Sequence, residues 1–196
     1  MNNRQQQASH SSLSVREIEF YSRQLLIKGW SSELQSRFKL LHVAVPDTLI
    51  TASLYLACLG IGKLSLRLSP LSRKPDKLLK HLGSLNPELN LIVTQETGVS
   101  SAAFSTRAYC EIRIKNELEQ VSEHVSTYSE SHGALLLIDP TSSPLELKLF
   151  DTAKNPNSLA ETTIEWPSTA TSAYLLAGTA AVCMIVKWCK NKDFCR

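Results

Sequence analysis

The segment between residues 43 and 62 has the outline of a nucleotide-binding strand, turn and helix, but its turn contains no glycine. A continuous apolar run at 40–45 predicts a buried strand, and residues 48–59 predict a helix that Gly60 closes. A phosphate cradle needs glycines at the turn, because only a residue without Cβ lets backbone N–H groups approach a pyrophosphate. The turn positions here are held by Ala44, Pro46, Asp47 and Leu49.

Two of these residues oppose phosphate binding directly. Pro46 has no N–H to donate. Asp47 brings a negative charge to the place where a phosphate would lie. The sequence therefore predicts the scaffold of a nucleotide site without its usual ligand.

Length and composition indicate a single soluble domain. The chain has 196 residues, of which 43% are hydrophobic and 20% are charged. We predict a disordered, Gln- and Ser-rich tail at 1–13, one domain at 14–190 and a short tail at 191–196. A net charge of +3 is too small to indicate nucleic-acid binding, and we interpret the basic residues between 63 and 80 as a solvated helix face.

Cysteine and histidine usage bears on compartment and metals. Five widely spaced cysteines without a signal peptide predict free thiols in the cytoplasm. The sequence has no CxxC pair and no metal-ligand spacing of histidines, so we expect no metal site. The apolar run at 172–186 is shorter than the roughly 20 residues that span a bilayer, which favours a buried core helix and no membrane partner.

Hydrophobic periodicity predicts strands that alternate with helices along the chain. A mainly parallel sheet with right-handed crossovers follows from that alternation, so the fold class is α/β. Predicted strands lie at 40–45, 63–68, 89–95, 109–114, 133–139, 145–150 and 163–166, with an exposed pattern at 145–150. Predicted helices lie at 14–26, 32–38, 48–59, 76–85, 100–106, 116–131 and 169–190, and 151–161 is predicted as loop.

Four short segments, taken in order and spacing, are similar to one known family. They are Tyr21-Ser22-Arg23-Gln24-Leu25 with Gly29, Trp30 and Gln35, then residues 55–66, then Leu85-Asn86-Pro87, then residues 178–187. Together they resemble the ThiF/MoeB/HesA adenylyltransferases, the family that includes ubiquitin-like-protein activating enzymes. The resemblance spans roughly residues 18–189 in a shortened form and implies a Rossmann-like three-layer fold.

The resemblance implies ATP- and Mg²⁺-dependent adenylation of the C-terminal carboxylate of a small ubiquitin-like or sulfur-carrier protein. It assigns the glycine turn to residues 44–49, which lack glycine, and the ribose-holding acid to Leu68. A second acid falls at Pro70, and the metal-associated aspartate falls near Lys115, a reversal of charge. Lys74 matches the phosphate-facing lysine beside a deletion. We therefore expect no ATP, Mg²⁺ or other cofactor to be bound in cis.

One family group survives, because Arg23 matches the arginine that reaches the ATP phosphates of the opposite subunit in family dimers. The leading hypothesis is a non-catalytic pseudoenzyme that pairs with an active ThiF/MoeB-like subunit and lends Arg23 in trans. A small ubiquitin-like protein is a further candidate partner. The alternatives are a divergent ATP-dependent adenylyltransferase and a homodimeric protein-binding adaptor.

Overall fold

The chain forms an α/β fold around one seven-stranded, mostly parallel sheet. A computed structural model describes residues 13–69, 75–95, 109–114, 133–139, 145–151, 159–164 and 170–191. The strand order is β3-β2-β1-β4-β5-β6-β7. Strands β1 to β5 run parallel, whereas β6 and β7 are antiparallel to their neighbours. The order of the first five strands is compatible with a Rossmann-like layout.

The described elements have the following bounds. The strands are β1 His42–Pro46, β2 Lys63–Leu68, β3 Asn90–Gln95, β4 Tyr109–Ile114, β5 Gly133–Asp139, β6 Leu145–Asp151 and β7 Leu159–Ile164. The helices are α1 Val15–Phe20, α2 Ser22–Leu25, α3 Ser32–Leu40, α4 Ile50–Cys58, α5 Asp76–Leu85 and α6 Ala170–Asn191. The predicted helices at 100–106 and 116–131 lie outside the described residues.

The two faces of the central strands differ in chemistry. Side chains alternate along a strand, so Val43, Val45, Leu64, Cys110 and Ile112 share the apolar core with α4 and α6. The opposite face carries His42, Ser65, Arg67, Tyr109, Glu111 and Arg113. The central strands are thus apolar on one side and polar, though largely buried, on the other.

Most predicted elements are confirmed within one or two residues, because long periodic segments and caps carry strong local signals. Ser14 and Glu17 form the expected capping box: Ser14 Oγ accepts from the Glu17 N–H at 3.3 Å, and Glu17 Oε2 accepts from the Ser14 N–H at 2.7 Å. Gly60 closes α4 with φ of 79°.

Two local predictions are wrong. The single helix predicted at 14–26 is broken at Tyr21 (φ −93°, ψ 9°), whose side chain is buried. The strand predicted at 163–166 begins earlier, at Leu159, because β7 pairs with β6 over its length, so the end of the predicted loop at 151–161 is strand. Residues 152–158 of that loop and 165–166 lie outside the described residues. The alternation predicted at 145–150 is confirmed, because Leu145, Leu147 and Leu149 enter the core and the residues between them are partly exposed.

Helix α6 is a core element of the fold. Residues Ser172–Asn191 are long and apolar enough to cross a membrane by length and composition, and they form the one such helix in the described part of the chain. Half of that apolar window is buried inside the protein, where α6 packs on α3, α4, β5 and β6. This burial favours the core-helix interpretation of 172–186.

Candidate functional site at the carboxyl ends of β1 and β4

The strand order reverses at β1, which lies between β2 and β4. In open parallel sheets, ligands bind outside the carboxyl ends of the strands at such a switch point. Pairing of β1 with β2 continues to Pro46 and Arg67, whereas pairing of β1 with β4 ends at Ala44 and Glu111. We call the place beyond Ala44 and Glu111 the β1–β4 switch point.

The turn after β1 begins later than predicted. Ala44 and Pro46 lie within β1, so the turn is formed by residues 47–49. The Asp47 N–H donates to the Arg67 carbonyl at 2.8 Å, and the Leu49 N–H donates to the Pro46 carbonyl at 3.0 Å. These two N–H groups therefore serve the protein's own backbone.

The Asp47 carboxylate has a structural partner, because its Oδ2 accepts from the Ser69 N–H at 3.1 Å. Leu49 is fully buried, and its side chain therefore anchors the turn to the hydrophobic core. A hydrophobic anchor and a carboxylate stand where a phosphate cradle would need small residues and free donors.

Helix α6 lies against the first turn of α4. A Cβ on Gly178 would come within 2.9 Å of the Ala52 backbone nitrogen and 3.2 Å of Thr51 Cβ. The glycine of the fourth landmark segment is thus explained by close helix–helix approach. Ala52 itself is fully buried at this contact.

A cluster of charged side chains links β2 to β4 across the end of β1. Arg67 Nη1 lies 2.6 Å from Glu111 Oε1, and Arg113 Nε lies 2.7 Å from the same oxygen. Tyr109 donates its hydroxyl to Glu111 Oε2 at 3.3 Å. The side chains of Arg67, Glu111 and Arg113 are only 15%, 5% and 17% exposed.

The path of Arg67 explains how the cluster forms. Neighbouring strands lie about 4.8 Å apart, so a side chain from β2 must cross about 10 Å of sheet to reach β4. Ala44 of β1 is in register with Ser65 and Glu111, whereas Arg67 pairs with Pro46, so the Arg67 side chain reaches Glu111 diagonally past the small side chain of Ala44. Arg67 Nη2 also donates to the Ile112 carbonyl of β4. Pro46, the last residue of β1, has no N–H with which to bond a neighbouring strand. The guanidinium therefore supplies a donor that β1 lacks.

Sequence reasoning missed this cluster. Our interpretation of the basic residues at 63–80 as a solvated helix face is wrong for Lys63 and Arg67, which belong to strand β2. The available signal was the alternation of charged and apolar residues within two strands, at Arg67 and at Glu111 and Arg113. Side chains that alternate along adjacent strands on one face are able to meet.

Of the remaining residues predicted for the nucleotide site, the structure describes Leu68. Leu68 ends β2, is partly exposed and pairs in register with Gln95, and its side chain cannot accept a hydrogen bond. Pro70, Lys74 and Lys115 lie outside the described residues.

Arg23 is exposed on α2. Its neighbour Gln24 donates from Nε2 to the Cys58 carbonyl at 2.6 Å, which fixes α2 at the C-terminal end of α4. The switch point lies at the other end of α4, a helix of 9 residues. Such a helix is about 13 Å long, so Arg23 is remote from Pro46 and Asp47 of its own chain.

The first three landmark segments meet around the turn that follows α4. Gln35 donates from Nε2 to the Leu59 carbonyl at 2.8 Å, and Trp30 donates to Gln35 Oε1 at 2.9 Å. Buried Asn86 donates from Nδ2 to the Ile61 carbonyl at 3.1 Å. These residues satisfy carbonyl groups at and after a helix end, which is a structural task.

The polar face of the sheet also contains a buried histidine. His42 Nε2 lies 2.7 Å from Ser65 Oγ, and its ring packs edge-to-face on Tyr109 with 5.1 Å between ring centroids. Burial, followed by the nearby charge of Lys63, lowers the pKa of His42 to about 4. The native state therefore holds His42 neutral.

We expect this histidine to make stability fall in acid. An unfolded histidine titrates near pH 6.5, so the contribution of neutral His42 is complete above that pH and is lost as pH falls through about 4. The expected loss is up to about 3 kcal/mol of unfolding free energy, at about 1.4 kcal/mol per pKa unit. Urea unfolding between pH 7.5 and pH 4 measures it.

The matched variant for that measurement is His42→Gln, which removes the titrating ring. Its unfolding free energy should fall less steeply than that of the wild type across the same window, because the contribution of the buried ring is gone. Parallel pH profiles for the two proteins would show that His42 is not the responsible group.

The described cysteines divide into two kinds. Burial raises the pKa of Cys110 well above its usual value. Burial also raises that of Cys189 to about 12, although the charge of Arg37 opposes it. Both buried thiols therefore stay protonated and unreactive at neutral pH. Cys58 and Cys183 are exposed.

The described residues define an α/β protein with a switch point spanned by its own ion pairs. Within those residues, no group of three or more His, Cys, Asp or Glu side chains is arranged to hold a metal ion. No protein-family model matches the sequence, and no curated protein matches it either.

Proposed function

We propose that this chain is a non-catalytic, ThiF/MoeB-like protein that acts by binding another protein. The observation that carries the proposal is the Arg67–Glu111–Arg113 cluster at the switch point. In a nucleotide-binding relative of this layout, the ligand would lie beside these strand ends. Here the protein's own side chains take up the polar interactions there.

Energetics favour the loss of catalysis in cis. Removing one oxyanion-type contact costs about 3–4 kcal/mol of transition-state stabilisation. The glycine turn, the ribose acid at Leu68 and the metal-associated aspartate near Lys115 are all replaced. Several independent losses of that size would remove most of a typical enzymatic rate enhancement of about 8–23 kcal/mol.

The landmark residues support membership of this family as a set. Gln24, Gln35 and Asn86 all donate to carbonyl groups between Cys58 and Ile61. Residues far apart in sequence thus serve one structural unit, which is why they would persist together after the nucleotide groups were lost. The proposal includes the three-layer form of the fold and a cytoplasmic location.

The proposed partner is an active ThiF/MoeB-like subunit, to which Arg23 contributes in trans. Arg23 is exposed and remote from its own switch point, so a role for it requires a second molecule. A second copy of this chain and a small ubiquitin-like protein are the other partners compatible with this proposal.

Arg23→Ala is expected to slow adenylate formation by the active subunit at least about tenfold, the effect of losing one charge-assisted hydrogen bond of about 1.5–3 kcal/mol. The measurement is pyrophosphate release by the purified complex. Arg16→Ala is the matched control, because Arg16 is also an exposed helical arginine. An unchanged rate in the Arg23→Ala complex would remove the trans role.

The divergent adenylyltransferase is distinguished by ATP binding to the isolated chain. A ligand at a hundred times its Kd stabilises the native state by about 2.7 kcal/mol. We expect the melting temperature to stay constant when millimolar ATP and Mg²⁺ are added. A rise of several degrees would favour the active enzyme over the pseudoenzyme.

A further inference from the structure

An apolar groove lies between α4 and α6 on the outside of the fold. Its volume is about 560 Å³, and it is lined by Tyr55 and Cys58 of α4 and by Val182, Cys183 and Val186 of α6, with Lys187 and Lys190 at one end. We call it the α4–α6 groove. It is separate from the switch point, which lies at the opposite end of α4.

Apolar side chains are exposed at the α4–α6 groove. Tyr55 is 49% exposed, and Leu59 and Val186 are half-buried. Cys58 and Cys183 are also exposed. Contiguous exposed apolar surface of this kind marks interaction sites in soluble proteins.

Positive charge gathers at one end of the groove. Lys187 and Lys190 line it and are exposed. A Cβ on Gly29 would lie 3.7 Å from Lys190 Nζ, which brings the loop that carries Lys28 to the same end. No Asp or Glu is among the described residues that line the groove.

We propose that the α4–α6 groove binds an amphipathic helix of another protein, with the apolar face of that helix in the groove and acidic side chains at its basic end. An open apolar groove with lysines at one end fits a helix that presents anchors at i, i+3, i+4 and i+7. Acidic side chains on that helix complement the lysines and steer the encounter.

Charge disfavours a second copy as the occupant. In a two-fold dimer through this surface the same patch faces itself, and the described residues that line the groove include no Asp or Glu to pair with Lys187 and Lys190 of the other copy. The inference goes beyond the adenylation hypothesis and does not depend on it.

The test uses two synthetic amphipathic helices with the same leucine face, one flanked by glutamates and the other by lysines. Fluorescence anisotropy with the full chain should show the acidic helix binding at least about tenfold tighter, a difference of about 1.4 kcal/mol. The preference should shrink at high salt, since exposed charges are screened.

Variants of the full chain locate the binding. Cys183→Glu places a carboxylate in the apolar groove and should weaken the acidic helix at least about tenfold. The double variant Lys187→Glu and Lys190→Glu should invert the preference between the two helices. The double variant Lys77→Glu and Lys80→Glu makes the same charge change at exposed positions of α5 that do not line the groove, and should leave binding unchanged.

Several outcomes overturn the proposal. These are equal binding of the two helices, no binding of either, or binding that Cys183→Glu does not weaken while its melting temperature stays normal. A wild-type dimer in sedimentation that Cys183→Glu dissociates would assign the groove to a second copy. Binding to anionic phosphatidylserine vesicles, lost in Cys183→Glu and without helix binding, would assign it to a membrane.

Discussion

Gly62→Ala is expected to destabilise the protein by about 3 kcal/mol or more, the upper range for overpacking a tight site. The Gly62 N–H donates to the Phe38 carbonyl at 3.1 Å, and the Gly62 carbonyl accepts from the Asn90 N–H at 2.9 Å. A Cβ added at Gly62 would overlap the backbone carbonyl of Lys39. Since backbone atoms cannot rotate away as a side chain can, the end of α3 would have to separate from the start of β2.

Gly83→Ala is the matched control for this prediction. Gly83 lies in α5, and an added Cβ meets nothing within 4 Å. Alanine should therefore stabilise the protein by about 0.5–1 kcal/mol through helix propensity. Urea midpoints of the two variants should move in opposite directions from the wild type. Equal midpoints for the two variants would mean that contact at Gly62 does not limit packing.

Glu111→Gln is expected to cost about 3–5 kcal/mol of unfolding free energy, the range for breaking one partner of a buried ion pair. The reason is that the carboxylate of Glu111 contacts two guanidinium groups, those of Arg67 and Arg113, in a largely buried place. The amide keeps the shape of the side chain but carries no charge. Two desolvated cations would then lie close together without their shared anion.

Glu33→Gln makes the same chemical change in an exposed setting. Glu33 pairs with Arg37 at 2.7 Å one turn away on α3, and its side chain is 69% exposed. Pairs of this kind contribute about 0.3–0.5 kcal/mol, so the unfolding free energy should hardly change. A loss at Glu111 no larger than that at Glu33 would contradict the structural role that we give the cluster.

The Glu111 measurement also bears on the proposed function. The cluster connects β2 with β4 across β1 at the place where a nucleotide site would lie. A large loss of stability would mean that these side chains hold the sheet together and are committed to that task. It would thus support the view that the switch point has a structural use in this protein.

Much of the secondary structure could be predicted from the sequence because the signals are local. The bounds of α5 and of β4 agree with the prediction at both ends. Helix periodicity, the Asn86-Pro87 stop and the Ser14 cap each act within a few residues of the element that they define. The absence of glycine between Ala44 and Leu49 is also a property of the sequence alone.

The misses share a cause, which is that distant residues decided them. Tyr21 breaks the N-terminal helix, and its hydroxyl end lies against Gly60, nearly forty residues later. Strand β7 has a weak local pattern and exists through its ladder with β6. Propensity is a weak prior, and tertiary context overrides it where burial or pairing rewards another conformation.

The sequence alone determined the α/β class, most of the elements and a β1–α4 turn that lacks glycine, because backbone sterics and hydrophobic periodicity are short-range effects. Only the tertiary structure decided that Arg67 meets Glu111 across β1, that Arg23 lies far from Pro46, and that α4 and α6 enclose a basic-rimmed groove. Such encounters depend on strand order and helix packing, which bring together side chains that no local pattern relates.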